Sequence, residues 1–230
     1  MNVLGRKISA TVLGAAMISA PMFSMNVFAA PVAEQQATQN LVKQLTGLHS
    51  FSANFSQTTK ANGKKLAPKK GLTSQHLNQT FQGVMKVERP GKFFWETTSP
   101  SKQTIVTSGK IVWIYDPDLQ QAVRQSLSDQ VSNTPALLLS GNTSQIMQSY
   151  RVTQSDSQKA VYTLTPKAKD SAFQNLSIAF AANGTPTSMV LNDSLGQTTT
   201  VSFSQVNKNV TIPVSTFNFA PPKGTDIIDQ

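Results

Sequence analysis

From Phe81 to Leu127 the chain repeatedly alternates apolar and polar residues with a period of two, and turn residues close each run. Phe93, Trp95 and Thr97 interleave with Phe94, Glu96 and Thr98; Ile105 lies between Thr104 and Val106; Ile111 to Tyr115 follows Ser108-Gly109. Ser99-Pro100, Ser108-Gly109 and Asp116-Pro117 punctuate these runs. A helix cannot satisfy such a period, whereas an antiparallel meander does. Both tryptophans, Trp95 and Trp113, lie inside it.

The second half repeats the pattern. Arg151–Gln154, Ala160–Thr165, Phe173–Phe180, Thr187–Asn192 and Thr198–Val206 read as strands, and Asn183-Gly184 and Leu195-Gly196 read as turns. Phe217 and Phe219 alternate near the end, Pro221-Pro222 closes the regular structure, and Asp226 and Asp229 fall in a tail. Ahead of the strands, Ala37, Leu41, Leu45 and Leu48 recur at spacings of four and three, which predicts an amphipathic helix over 33–48. Thr134-Pro135 predicts an N-cap and first helical residue for a short apolar helix through Ala136, Leu137, Leu138 and Leu139, ending at Gly141. Another short helix is expected over Ser144–Gln148. Roughly ten or eleven strands with few helices make a mainly β chain (α+β), with one curved antiparallel sheet or barrel. With no internal repeat and no linker, residues 30–230 are expected to form a single domain.

Arg6 and Lys7 precede an apolar, small-residue stretch from Ile8 to Ala20, and Val27-Phe28-Ala29 offers a cleavage site. Residues 1–29 are therefore expected to be a signal peptide cut after Ala29, leaving an exported chain. The absence of cysteine excludes disulfides, thiolate metal sites and cysteine nucleophiles. The formal charge is +9. Its densest cluster, Lys60, Lys64, Lys65, Lys69 and Lys70, opens a basic connection at 61–80 without interleaved aromatics, which argues against nucleic-acid binding.

No pattern of catalytic residues is present. His49 and His76 stand apart, and no nucleophile elbow, zinc-protease helix or phosphate-binding glycine loop occurs. Asp116 with Asp118, and Asp226 with Asp229, read as turn and tail residues rather than acid/base pairs. The expectation is a protein without catalytic residues, metal or cofactor. Arg89 breaks the pattern differently: it ends the row Phe81, Gly83, Met85, Val87, which otherwise points to the apolar side. Either the strand has ended and the guanidinium reaches water, or the arginine is half-buried against carbonyls or a carboxylate.

The run R-P-G-K-F-F-W at Arg89–Trp95, followed by I-V-T-S-G-K-I-V-W-I-Y-D-P-D-L-Q-Q-A at Ile105–Ala122, resembles the LolA family of periplasmic lipoprotein carriers. N-T-P-A-L-L-L at Asn133–Leu139, L-T-P-K at Leu164–Lys167 and the ending F-N-F-A-P-P-K-G-T-D are similar to that family in order and spacing. The resemblance implies an incomplete, strongly curved antiparallel barrel whose helical lid covers a cavity for acyl chains. It implies that Arg89 latches the lid through carbonyls near Ala136, Leu137, Leu138 and Leu139. Phe93, Trp95, Ile105, Trp113, Leu137 and Leu138 would then line the cavity or its mouth. The implied partners are acylated lipoproteins as cargo, an inner-membrane lipoprotein-releasing ABC transporter and an outer-membrane lipoprotein receptor, served by a monomer in the periplasm. A single-lipid or glycolipid carrier or sensor on the same scaffold is the alternative.

Overall fold

The computed structural model describes residues 33–61, 78–127, 135–171 and 173–230. The expected leader, most of the basic connection including His76, and Asn133-Thr134 lie outside the described residues.

Twelve strands run in the order β1 Ser50–Ala61, β2 Thr80–Glu88, β3 Lys92–Ser99, β4 Gln103–Ser108, β5 Ile111–Asp116, β6 Gln121–Ser126, β7 Tyr150–Thr153, β8 Val161–Pro166, β9 Phe173–Phe180, β10 Pro186–Asp193, β11 Gln197–Lys208 and β12 Asp226–Asp229. They form one sheet, ordered β12-β6-β5-β4-β3-β2-β1-β11-β10-β9-β8-β7, whose edge strands β12 and β7 do not pair with each other. The sheet is therefore an open, incomplete barrel. Gly184 and Gly196 adopt positive φ in two of the expected turns, a conformation that glycine reaches without steric cost. Asp116 Oδ1 accepts from the backbone N–H groups of Asp118 and Leu119 at 3.0 Å each, fixing the turn before β6.

The C-terminal reading needs correction. Val214–Phe217 is a 3-10 turn rather than part of a strand, and regular structure resumes beyond Pro221-Pro222 as β12. This strand pairs in parallel with β6, Asp226 opposite Gln121 through Asp229 opposite Arg124, so the sheet is not wholly antiparallel. The direction follows from the path of the chain. After β11, Asn209 returns to the first helix and strand, with His49 N–H donating to its Oδ1 and its own Nδ2 donating to Gly47 O. The following segment crosses the back of β3 and β4, where Phe217 is buried, and Phe219 lies against Trp113 and Tyr115. It therefore reaches the β6 edge at the end of the sheet where β6 begins.

Helix α1 (Glu34–Thr46) carries Glu34 in its first turn and Lys43 in its last, both favourable to the helix dipole. Its stripe Ala37, Leu41 and Leu45, with Leu48 beyond, is fully buried. Each such leucine contributes about 1.5–3 kcal/mol of apolar burial. The stripe joins one core with Phe51, Phe55, Met85, Val87, Phe93, Trp95, Met189 and Val201 on the sheet's inner face. Strand register explains this grouping. Phe51 pairs with Val87 and Val87 with Phe93, so alternate positions on neighbouring strands point the same way.

At Gly83 neighbouring atoms leave no room for a side chain. A Cβ there would overlap the Glu96 carbonyl of β3 and lie 2.8 Å from the Phe55 ring, which itself stacks on Trp95 with centroids 3.5 Å apart. The backbone carbonyl has little room to move, so Gly83→Ala is expected to cost about 3 kcal/mol, the upper end of overpacking effects. A lowered urea midpoint would record it, and an unchanged midpoint would show that β2 and β3 can separate freely.

Candidate functional site

Among the described residues, two elements cover the inner face. One is α1; the other is the segment between β6 and β7, containing a 3-10 helix Pro135–Ser140 and helix α2 (Thr143–Ser149). All six residues of the 3-10 helix are buried, and it packs on β2, β3 and β10. Asn142 caps α2 by accepting from Ser144 N–H at 2.8 Å, the usual way to satisfy an orphan donor at a helix start.

A 3-10 helix of six residues leaves carbonyls unpaired at its C-terminal end. The loop after β2 takes up three in succession. Arg89 Nη1 donates to Leu139 O at 2.9 Å, Gly91 N–H to Ser140 O at 2.8 Å, and Arg89 Nη2 to Gly141 O at 2.6 Å. The arginine is itself fixed through its backbone N–H, which donates to His49 O at 2.8 Å. Earlier carbonyls of the 3-10 helix are engaged locally: Leu137 O accepts from Ser140 Oγ at 2.8 Å and Leu138 O from Gly141 N–H at 3.1 Å. This explains why Arg89 reaches Leu139 and Gly141 rather than Ala136 to Leu138. Glu88, the adjacent carboxylate, is occupied by Lys92 at 2.5 Å.

Arg89 is half-buried, and that burial pushes its pKa below the ordinary arginine value. An arginine starts so far above neutrality that it stays charged. The bonds are therefore charge-assisted, with two prongs of one planar group aimed at two carbonyls.

Phe93, Trp95, Ile105, Leu137 and Leu138 all belong to the inner core, each less than one-tenth exposed. Trp113 does not join them. In register with Val106 and Arg124, it faces outward, against Phe219 at 5.7 Å with the Arg124 guanidinium over its ring. The apolar run Ile111–Tyr115 gives no clue to this, because the C-terminal segment makes both faces of β5 partly apolar. A separate cleft of about 470 Å³ beside α1 is lined by Asn40, Lys43, Gln44, Tyr162 and Lys208 among others. Its polar, cationic walls do not suit an alkyl chain. Among the described residues, no group of three His, Asp or Glu side chains could hold a metal ion.

The inner face is thus apolar, and one end of its cover is held by polar bonds from the β2–β3 loop. The family model described as outer membrane lipoprotein carrier protein LolA matches residues 46–220. The chain belongs to the LolA family. An outer-membrane lipoprotein carrier protein from Hahella chejuensis is 42% identical over 213 residues, covering 90% of this chain and 96% of that protein. One from Pseudomonas fluorescens is 38% identical over 200 residues, covering 86% and 91% respectively. A crystal structure from Desulfovibrio piger, 11% identical, aligns with a TM-score of 0.50 over 80% of this chain and 97% of that one, a likeness of fold alone. The LolA match contains Arg89, the inner-face aromatics and the whole cover between β6 and β7. Nearly all of α1, and all of β12, lie outside it.

Replacing Arg89 by leucine removes both charge-assisted bonds and leaves two carbonyls without donors. Each such bond is worth about 1.5–3 kcal/mol, reduced here because the group is only half-buried. Arg89→Leu is expected to ease local opening of the 3-10 helix by about 2 kcal/mol, roughly thirtyfold. Hydrogen exchange at the Gly91 and Gly141 amides, both bonded within this segment, measures it; unchanged protection would mean that apolar packing alone holds the cover.

Proposed function

We propose that this chain is a non-catalytic periplasmic carrier that shields the acyl chains of lipoproteins, taking them from an inner-membrane transporter and passing them to an outer-membrane receptor. Its first 29 residues act as a cleaved leader, and residues 30–230 act as one carrier domain. The observation that carries this reading is the pair of bonds from Arg89 to Leu139 O and Gly141 O, which hold a lid across an apolar face.

The physical problem is one of transfer through water. Exposing a CH₂ group costs about 0.8 kcal/mol, so a chain of about fifteen methylenes carries on the order of 12 kcal/mol. A carrier has to remove that cost and still release the chain. A lid that closes on itself when empty does both. The free energy of opening is subtracted from cargo affinity, which favours onward transfer. Arg89 supports the closed state. Phe93, Trp95, Ile105, Leu137 and Leu138 serve as the wall exposed to acyl chains once the lid lifts. Their names support the reading too: the Hahella and Pseudomonas relatives are called outer-membrane lipoprotein carrier proteins.

The test is release from spheroplasts that make a labelled outer-membrane lipoprotein and carry a matched transporter. The wild-type protein is expected to collect the lipoprotein as a soluble one-to-one complex. Arg89→Leu is expected to load at least as well but to hand cargo on to a receptor at least tenfold more slowly. No soluble complex with the wild type would favour the single-lipid carrier instead. Equal loading and release by both proteins would end the latch mechanism.

A further inference from the structure

On the inner wall, at the end of the sheet where Arg89 meets the lid, one polar atom is out of place. Thr107 in β4 is 1% exposed, and among the described residues its Oγ1 is the buried side-chain polar atom without a hydrogen-bond partner. Three similarly buried polar side chains are satisfied: Ser50 Oγ donates to Val210 O, Ser140 Oγ to Leu137 O, and Gln154 Nε2 to Lys159 O. An orphaned hydroxyl in an apolar wall is destabilising unless something binds it.

Its surroundings indicate what that ligand would be. Register places Thr107 between Phe93 and Val112, both fully buried and both on the inner face. The next row on the same face is Trp95, Ile105 and Ile114, about 7 Å further along the strands. Thr107 therefore stands near the rim of a largely apolar wall, one residue from the end of β4, with the Trp95, Ile105 and Ile114 row next to it and Thr97 and Gln103 in the row after that. A ligand filling this wall has an alkyl tail toward Trp95 and Ile105 and its first polar atom at the level of Thr107. A hydroxyl donor there suits an uncharged acceptor. Arg89 lies at the same end of the sheet, but its guanidinium is directed to Leu139 O and Gly141 O; the row itself offers an uncharged donor, which suits a carbonyl.

We infer that the Thr107 hydroxyl donates a hydrogen bond to the ester carbonyl of a bound diacylglyceryl group, making Thr107 a specificity residue for acyl esters over pure hydrocarbon or ether chains. The inference rests on the carrier reading above and adds to it a chemical class of acyl linkage. A site that hydrogen-bonds its ligand disfavours the analogue lacking the acceptor, because the buried hydroxyl stays unpaired.

The experiment uses the full mature protein and displacement of a fluorescent apolar probe from it. The competitors are dioctanoylglycerol, which has two ester carbonyls, and its dioctyl ether counterpart, which has none. Wild type is expected to bind the ester roughly three- to tenfold more tightly than the ether, the range of one net hydrogen bond. Thr107→Val should abolish that preference by weakening ester binding, with ether binding unchanged, while Thr107→Ser should retain it. The melting temperature of empty Thr107→Val should equal or exceed that of wild type, since no native bond is lost. An ester-to-ether ratio unaltered in Thr107→Val, or a fall in its melting temperature with folding intact, would overturn the role of Thr107 and leave the carrier reading standing. Failure of both lipids to displace the probe from wild type would overturn the carrier reading itself, and this inference with it.

Discussion

An apolar sheet face wide enough to take Phe51, Phe55, Met85, Phe93, Trp95 and Met189 has to be covered, and everything else in this molecule answers to that need. The two covers are attached in different ways. Helix α1 is held by a continuous leucine stripe and by side-chain bonds at its flank, where Asn40 Nδ2 donates to Gln154 Oε1 at 3.0 Å. The segment between β6 and β7 has buried leucines as well, but its end is held by donors from the β2–β3 loop to three consecutive carbonyls. Apolar packing of the first kind is lost only by exposing hydrocarbon. Carbonyls of the second kind can accept hydrogen bonds from water once uncovered, so part of what holds this cover is replaceable by solvent.

The opposite face of the sheet is treated unequally. Behind β8 to β11 it is polar, with Thr163 and Ser177 hydroxyls 2.9 Å apart and Asn192 Nδ2 donating to Asn175 Oδ1 at 2.8 Å. Behind β3 to β6 the returning C-terminal segment buries Val106, Ala122, Ile212 and Phe217. The part of the sheet that carries Arg89, Phe93 and Thr107 is thus packed on both faces.

The sequence made the strands legible wherever one face is apolar and the other polar, because alternation is then the direct image of burial. Phe93-Trp95 and Phe173–Phe180 are such cases, and the stripe from Ala37 to Leu45 is its helical equivalent. Alternation fails where both faces are covered. Trp113 was expected in the cavity and lies on the outer face, since Ile111 to Tyr115 is apolar throughout. The strand β12 was missed for another reason: four residues, Asp-Ile-Ile-Asp, are too few to show a period, and their pairing with Gln121–Arg124 is set by a distant part of the chain. Arg89 was visible as an anomaly, but only three dimensions place Gly141 O beside it. Thr107 gave no signal at all, for a threonine in a strand is unremarkable until its hydroxyl is found unpartnered.

The lid's connections give it a further property. It joins β6 to β7, strands that lie second from one edge of the sheet and at the opposite edge. Its described part, residues 135–149, therefore belongs to a connection between strands near opposite margins of the sheet. Because the chain enters and leaves this cover at strands near opposite margins, the position of its Arg89-bound end and the separation of those margins are geometrically linked.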